Sequence, residues 1–202
     1  AFNRGFWGFK PDLPYISTYQ AAFDLVNESA LVFHKSVIDS GIELFEELHG
    51  RKPVYFVPPN GPINTQIEEY AASKGFKYIC SGKIHKEPLG EGKYKKHLRY
   101  IGLRNPMGAV FLTRNCFFEP SFRGKGFSVD DCLNNISYAF RYSKPAIIST
   151  HRVNYIGGLY RDNALSGNKL LKELLTSMLR KWPDIEFLTS VQLGEAIRVN
   201  GS

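Results

Sequence analysis

Three short apolar runs, each breaking off into a cluster of polar residues, constrain this chain more than any other feature. Val54-Tyr55-Phe56-Val57 runs into Pro58-Pro59-Asn60-Gly61-Pro62-Ile63-Asn64. Val110-Phe111-Leu112-Thr113 runs into Arg114-Asn115-Cys116-Phe117-Phe118-Glu119. Ile147-Ile148-Ser149-Thr150 runs into His151-Arg152-Val153-Asn154. Continuous apolar runs of this length, bounded by turn residues, read as buried strands. In α/β proteins, polar side chains just past the carboxyl end of a buried strand occupy the usual place for binding and catalysis. Three such ends could converge on one pocket.

The stretches between these runs read as helices. From about Asn27 to His49, apolar residues recur at helical spacing (Leu31, Val32, Val37, Ile38, Ile42, Phe45 and Leu48), and Gly50 supplies a stop. Asn64 can cap a helix ending before Gly75, and Ser128 one that reaches about Tyr142. A fourth helix is expected from Gly167 to Arg180, and Ser190 is expected to cap a short last one to about Ile197. Further strands are expected at Phe76–Cys80 and Ile185–Leu188, and a hairpin through the basic, glycine-containing stretch that leads to Leu98–Leu103. Residues 1–20, rich in aromatics, Gly and Pro, read as an irregular segment. Alternation of strands and helices argues for parallel βα units. Without a G-x-G-x-x-G fingerprint or a Walker loop, a (β/α) barrel suits the polar strand ends better than a nucleotide-binding sheet. About five strands are visible where such a barrel has eight. The first helix has no strand before it, so the chain is expected to be N-terminally incomplete.

Composition narrows the function classes. The 202 residues suffice for one domain with a sizeable core, and 43% hydrophobic and 14% aromatic content is that of a folded protein. The net charge of +7 is concentrated in Lys83, Lys86, Lys93, Lys95, Lys96 and Arg99, interleaved with His85 and His97. That stretch reads as a solvated hairpin rim or, functionally, as an edge for an acidic glycan or a phosphate-bearing substrate. No nucleic-acid motif accompanies it, so nucleic acid is not an expected partner. The three cysteines show no C-x-x-C spacing, and their odd number fits a reducing, cytoplasmic setting better than a secreted one. No apolar stretch is long enough to span a bilayer.

Several segments, taken together, carry a resemblance. Phe56-Val57-Pro58-Pro59-Asn60-Gly61, followed by a helix and Gly75-Phe76-Lys77-Tyr78, resembles the Arg-Pro-Pro-Tyr-Gly segment of the polysaccharide deacetylase (NodB-homology, carbohydrate esterase) superfamily. Ile148-Ser149-Thr150-His151 is similar to its late strand ending in a catalytic His. Phe6-Trp7-Gly8, Arg114–Ser121, and Trp182–Phe187 with Ser190 resemble a divergent, mostly bacterial branch. The resemblance spans nearly the whole chain, read as one polysaccharide-deacetylase-like domain over 1–202. It implies a distorted (β/α) barrel with fewer than eight strands.

The resemblance also implies a function: metal-dependent hydrolysis of N- or O-linked acetyl groups on a carbohydrate or polysaccharide. His151 would be the general acid, and Asn60, Arg114, Asn115, Glu119, Arg152 and Asn154 would line the substrate site. The family's divalent metal, usually zinc, is held by an Asp from an Asp-Asp pair and by two His of a His-x-x-x-His-like motif. Neither motif occurs here in the expected place, since Asp130-Asp131 opens a helix. The metal is therefore expected in a full-length parent and not in this chain. Val57 stands where the family has an Arg. These departures support an alternative, a non-catalytic carbohydrate-binding relative without the metal site. A third reading is a glycan hydrolase working through paired carboxylates, for which Glu119 is well placed and Glu186 sits mid-strand, where a buried pair with an Arg is expected. Exposed barrel edges would be covered by a second copy or by a preceding segment.

Overall fold

The computed structural model describes residues 21–122, 127–158 and 160–200. Phe6-Trp7-Gly8 and the rest of the first twenty residues lie outside them. The chain divides into two compact units. The first runs to Thr113 and takes in the segment from Thr189, and the second is Arg114–Leu188.

The first unit opens with α1 (Ala30–His49), closed by Gly50 in the left-handed region at φ 65°. Two strands flank the second helix: β1 (Tyr55–Phe56), α2 (Thr65–Ser73) and β2 (Tyr78–Ser81). A hairpin of β3 (Ile84–Gly90) and β4 (Lys93–Leu98) follows, then β5 (Val110–Thr113), and the C-terminal α5 (Ser190–Asn200) completes the unit. The sheet order is β1-β2-β5, all parallel, with Tyr55 opposite Tyr78 and Ser81 opposite Thr113. Parallel strands are covered on both faces, and every residue of β2 and β5 is buried. Phe23, Ile38, Ile63, Ile67, Ala71 and Phe76 form one apolar cluster, and Ile79, Ala109 and Phe111 another.

The basic stretch is a hairpin, as its glycines suggested, turning through Glu91 and Gly92 at positive φ. Its lysines are exposed, but its inward face carries ionisable groups that a solvated-rim reading missed. His85, Glu87 and Arg99 are all buried. They dock the hairpin on the start of α2. His85 donates from Nε2 to the Ile63 carbonyl at 3.0 Å, and Asn64 donates to the Pro88 carbonyl at 3.0 Å. Glu87 accepts from the Thr65 backbone N–H at 3.1 Å and from its hydroxyl, while its other oxygen meets His97 at 2.7 Å. Arg99 forms a two-pronged pair with Glu68, both contacts at 2.7 Å, and lies over the Phe111 ring. Asn64 caps α2 as expected, accepting from the Gln66 N–H.

The second unit contains β6 (Cys116–Phe117), α3 (Val129–Arg141), β7 (Ile148–Ser149) and α4 (Arg161–Lys181). β6 and β7 pair in parallel. Ser128 and Asp131 close a capping box at the start of α3, so Asp131 of the Asp-Asp pair is a helix-start residue. Cys116, Phe118, Val129, Cys132, Ile136, Leu174 and Met178 form the core. The three cysteines are free and buried, and burial pushes the Cys116 thiol up to about 12, away from nucleophilic use.

The architecture is thus α/β with parallel strand pairing. Its described strands make three separate ladders, and none closes on itself. Two expected features differ. Ile185–Leu188 forms no strand, and Glu186 is exposed on that connection. Ile185 packs on the core of the second unit with Trp182, while Phe187 and Leu188 are exposed. The last helix is capped by Thr189 and not Ser190: the Thr189 hydroxyl accepts from the Gln192 N–H, and the Gln192 side chain accepts from the Thr189 N–H.

Two predictions follow from the buried polar groups. Arg99→Ala leaves Glu68 buried without its cation, and should cost about 3–5 kcal/mol in a denaturant titration; a loss under 1 kcal/mol would show that Glu68 finds other solvation. Burial first, then the Arg99 charge, lowers His85 from 6.5 to about 4. The unfolded chain binds a proton below 6.5 that the folded state refuses until about 4, so stability falls as pH drops through this window. Burial pushes the Glu87 carboxyl up, but bonds from Thr65 and His97 outweigh it and hold it below its ordinary value. The stability that Glu87 contributes is therefore also lost on acidification. His85 alone is worth on the order of 3 kcal/mol across the window. Urea midpoints between pH 7.5 and 4 should show this slope, and His85→Gln should flatten it.

Candidate active site

Of the residues expected at the site, the second unit brings together Glu119, His151 and Asn154, with Arg114, Asn115 and Arg152 on the same two connections. Asn60 belongs to the first unit, in the turn after β1, where it is exposed at φ 52°. Asn tolerates that left-handed geometry better than most residues, which is a backbone reason for its presence in the Pro-Pro-Asn-Gly turn.

β6 and β7 run side by side and end together, so the segments that follow them face one another. After β6 the chain continues Phe118-Glu119, and the Phe118 N–H donates to the Ser149 carbonyl at 2.9 Å, extending the ladder. After β7 it continues Thr150-His151 and folds into a 3-10 turn over Arg152–Asn154. Glu119 and His151 are thereby set opposite one another. His151 Nδ1 lies 2.5 Å from Glu119 Oε1. The second carboxylate oxygen, Oε2, accepts from Asn154 Nδ2 at 2.7 Å. The His151 side chain is 68% exposed and that of Glu119 only 12%. The pair thus presents a solvent-facing imidazole backed by a sheltered carboxylate. A carboxylate on Nδ1 leaves Nε2 as the nitrogen available to an incoming molecule.

The remaining candidates play different parts. Asn154, expected in the lining, is fully buried, and its amide is engaged by Glu119. Asn115 is likewise occupied by the backbone. Its amide donates to the Pro145 carbonyl at 2.9 Å and accepts from the Ile147 N–H at 2.7 Å, latching the start of β6 to the approach to β7. Arg114 points a guanidinium N–H at Ser149 Oγ over 3.4 Å. Arg152 is exposed on the 3-10 turn. Glu119 makes its hydrogen bonds to His151 and Asn154, while Arg114 turns toward Ser149. Sequence reasoning missed Thr150, Tyr155 and Ser121. The Thr150 and Tyr155 hydroxyls lie 2.7 Å apart, and Ser121 bonds to Asn154 from both its N–H and its hydroxyl. No spacing signal singled these out, since each meets its partner through the turn.

Among the described residues, no group of three or more His, Cys, Asp or Glu side chains is arranged to hold a metal ion. The donors near His151 are one carboxylate with both oxygens engaged and one imidazole. This set does not fit the metal that the sequence resemblance implied.

Comparison with known families bears on this cluster. The model for glycosyl hydrolase family 57 matches residues 19–175, a span that contains Glu119, His151 and Asn154. The chain belongs to glycosyl hydrolase family 57. The segments that resembled polysaccharide deacetylases lie largely within the same span. The family 57 chain is also similar to a solved structure described as "Crystal structure of putative polysaccharide deacetylase from Mycobacterium smegmatis", at 18% identity and a TM-score of 0.48. The match covers 83% of this chain and 57% of that one. A comparison with curated proteins finds no match. No helix among the described residues of this family 57 chain is long and apolar enough to cross a membrane.

The latch assigned to Asn115 is testable. Asn115→Ala leaves the Ile147 N–H and the Pro145 carbonyl without partners, and should lower stability by about 2 kcal/mol. A weakened affinity for glycan with unchanged stability would return Asn115 to the binding surface.

Proposed function

We propose that this chain carries the proton-donating part of a carbohydrate-processing hydrolase, with His151 as the general acid and Glu119 as the group that orients it. The observation that carries the reading is the exposed His151 imidazole bound through Nδ1 to a carboxylate whose other oxygen is already engaged. The bond proposed for cleavage is an acetyl linkage, N- or O-linked, on a sugar. Water adds to the acetyl carbonyl, and the tetrahedral adduct collapses by expelling the sugar amine or alkoxide. That leaving group needs a proton, which the imidazolium gives from Nε2. Glu119 at Nδ1 holds the ring in place, with Nε2 free to face the leaving group. Such a donor contributes about 10²–10⁴-fold. The divalent metal of the resembling deacetylases would sit on residues outside this cluster, and a distorted (β/α) barrel remains the architecture we propose for the whole catalytic domain.

Cleavage of a glycosidic bond is a second reading, favoured by the family match. It requires two carboxylates flanking the scissile bond, about 5–5.5 Å apart for retention and 6.5–9.5 Å for inversion. Glu119, with both oxygens occupied, is arranged as an orienting group and not as a nucleophile, and Glu186 lies exposed outside the cluster. The acetyl reading therefore takes precedence.

The test is an assay of acetate release from acetylated chito-oligosaccharides and O-acetylated glycans, run beside an assay for new reducing ends. His151→Ala should cut acetate release by about 10²–10⁴-fold without altering the unfolding midpoint. New reducing ends without acetate would establish the glycosidic reading. Binding of these sugars with neither product would make the chain a carbohydrate-binding relative, and unchanged turnover in His151→Ala would remove His151 from the chemistry.

A further inference from the structure

We infer that Asn154 is a positioning residue that sets the tautomer of His151 through Glu119, and that Gly167 is the seat that allows it to do so. The catalytic consequence rests on the function proposed above, whereas the tautomer itself does not.

The orientation of the Asn154 amide is decided by its neighbours. Its Oδ1 faces the backbone N–H of Ser121 at 3.0 Å, and a backbone N–H can only donate. The Ser121 hydroxyl adds a second bond to the same oxygen at 2.6 Å. Nδ2 is therefore the atom that faces Glu119 Oε2 at 2.7 Å and the His151 carbonyl at 2.8 Å. One side chain thus accepts on one side and donates on the other. Asp has the same size but no N–H to give, and would set a second carboxylate against Glu119. Gln has both groups but is a methylene longer in a site with no exposure.

With Oε2 held by Asn154, Glu119 turns Oε1 to His151 Nδ1. A carboxylate is an acceptor only, so Nδ1 must carry the proton and neutral His151 must present a bare Nε2. That is the nitrogen which has to be reloaded for each proton delivered. The backbone under Asn154 is fixed just as closely. A Cβ built on Gly167, within α4, would lie 1.8 Å from the Asn154 carbonyl oxygen and 2.8 Å from its carbonyl carbon. Only a glycine lets the helix run directly against the 3-10 turn. The contact joins α4 to the turn whose first residue follows His151.

Nitrogen-15 NMR of the neutral imidazole ring reads the tautomer directly. In this chain the Nδ1–H form should exceed the Nε2–H form by about tenfold or more, as expected for a hydrogen bond to a charged acceptor. Glu119→Gln can turn an amide N–H toward Nδ1 and should invert the ratio. Asn154→Asp and Asn154→Ala should each reduce the excess several-fold, and Gly167→Ala should do the same by displacing the turn. If Asn154→Ala proves too unstable to study, the near-isosteric Asn154→Asp and Glu119→Gln carry the test. An unchanged tautomer ratio in folded Asn154→Asp would overturn the proposal. In the acetate assay, the Asn154 variants should lose kcat with little change in KM. If the ratio shifts as expected while no variant, nor the parent chain, hydrolyses acetyl groups, the positioning role stands and the proposed chemistry fails.

Discussion

Taking a carboxylate out of water is costly unless donors surround it, and both units of this chain contain sheltered carboxylates that meet this condition. In the first unit Glu68 is met by both prongs of Arg99 on the inner side of the hairpin, beside Glu87 with its Thr65 and His97 donors. In the second, Glu119 is shared between an imidazole and an amide. The two solutions differ in kind. Arg99 and Glu68 are both buried and satisfy one another, which yields a fixed joint. Glu119 is sheltered but bonded to a residue at the surface, which leaves the imidazole facing solvent. Burial and hydrogen-bond capacity, more than the identity of the charged residue, separate the fully enclosed carboxylate from the one in contact with the surface.

Much of the local structure was legible in the sequence because helix ends write themselves in single residues. Gly50, Asn64 and Ser128 mark their helix boundaries where expected, and the four-residue apolar runs at Val110–Thr113 and around Ile148 are strands or parts of them. The failures have physical causes. In β3, the inward positions are occupied by His85 and Glu87, so the alternation that exposes Lys86 and buries its neighbours looks from the sequence like a uniformly polar stretch. At Ile185–Leu188 an apolar pattern lacked a neighbouring strand to pair with, and a pattern alone does not make a ladder. At the start of α4, Arg161-Asp162-Asn163 carries no apolar stripe, so the first turns of that helix were invisible to a periodicity argument.

The site was legible in outline and not in its wiring. Polar residues past the ends of two paired strands meet, as the general rule for α/β proteins holds. The division of labour among them depends on which atoms are already taken. Asn115 and Asn154 are the same residue type at equivalent-looking places, yet one ties two segments of backbone together and the other supports a carboxylate. Sequence shows that an amide is present but not what it faces. The same reasoning separates Glu119 from Glu186: both are acidic residues beside aromatic neighbours, and only the parallel pairing of β6 with β7 puts one of them against a histidine.

Helices α1, α4 and α5 each carry a glycine that a stability-minded engineer would replace. Gly lowers helix propensity by about 1 kcal/mol relative to Ala, and its substitution is a standard route to thermal robustness. Gly167 has the Asn154 carbonyl where a methyl would go, and Gly194 has the buried Tyr78 ring, at 2.4 Å. At both positions the chain gives up helical propensity in return for proximity. Gly41 in α1 has open space around it and is free for such a replacement, but at these two sites it would trade a small gain in chain entropy for the displacement of a whole helix.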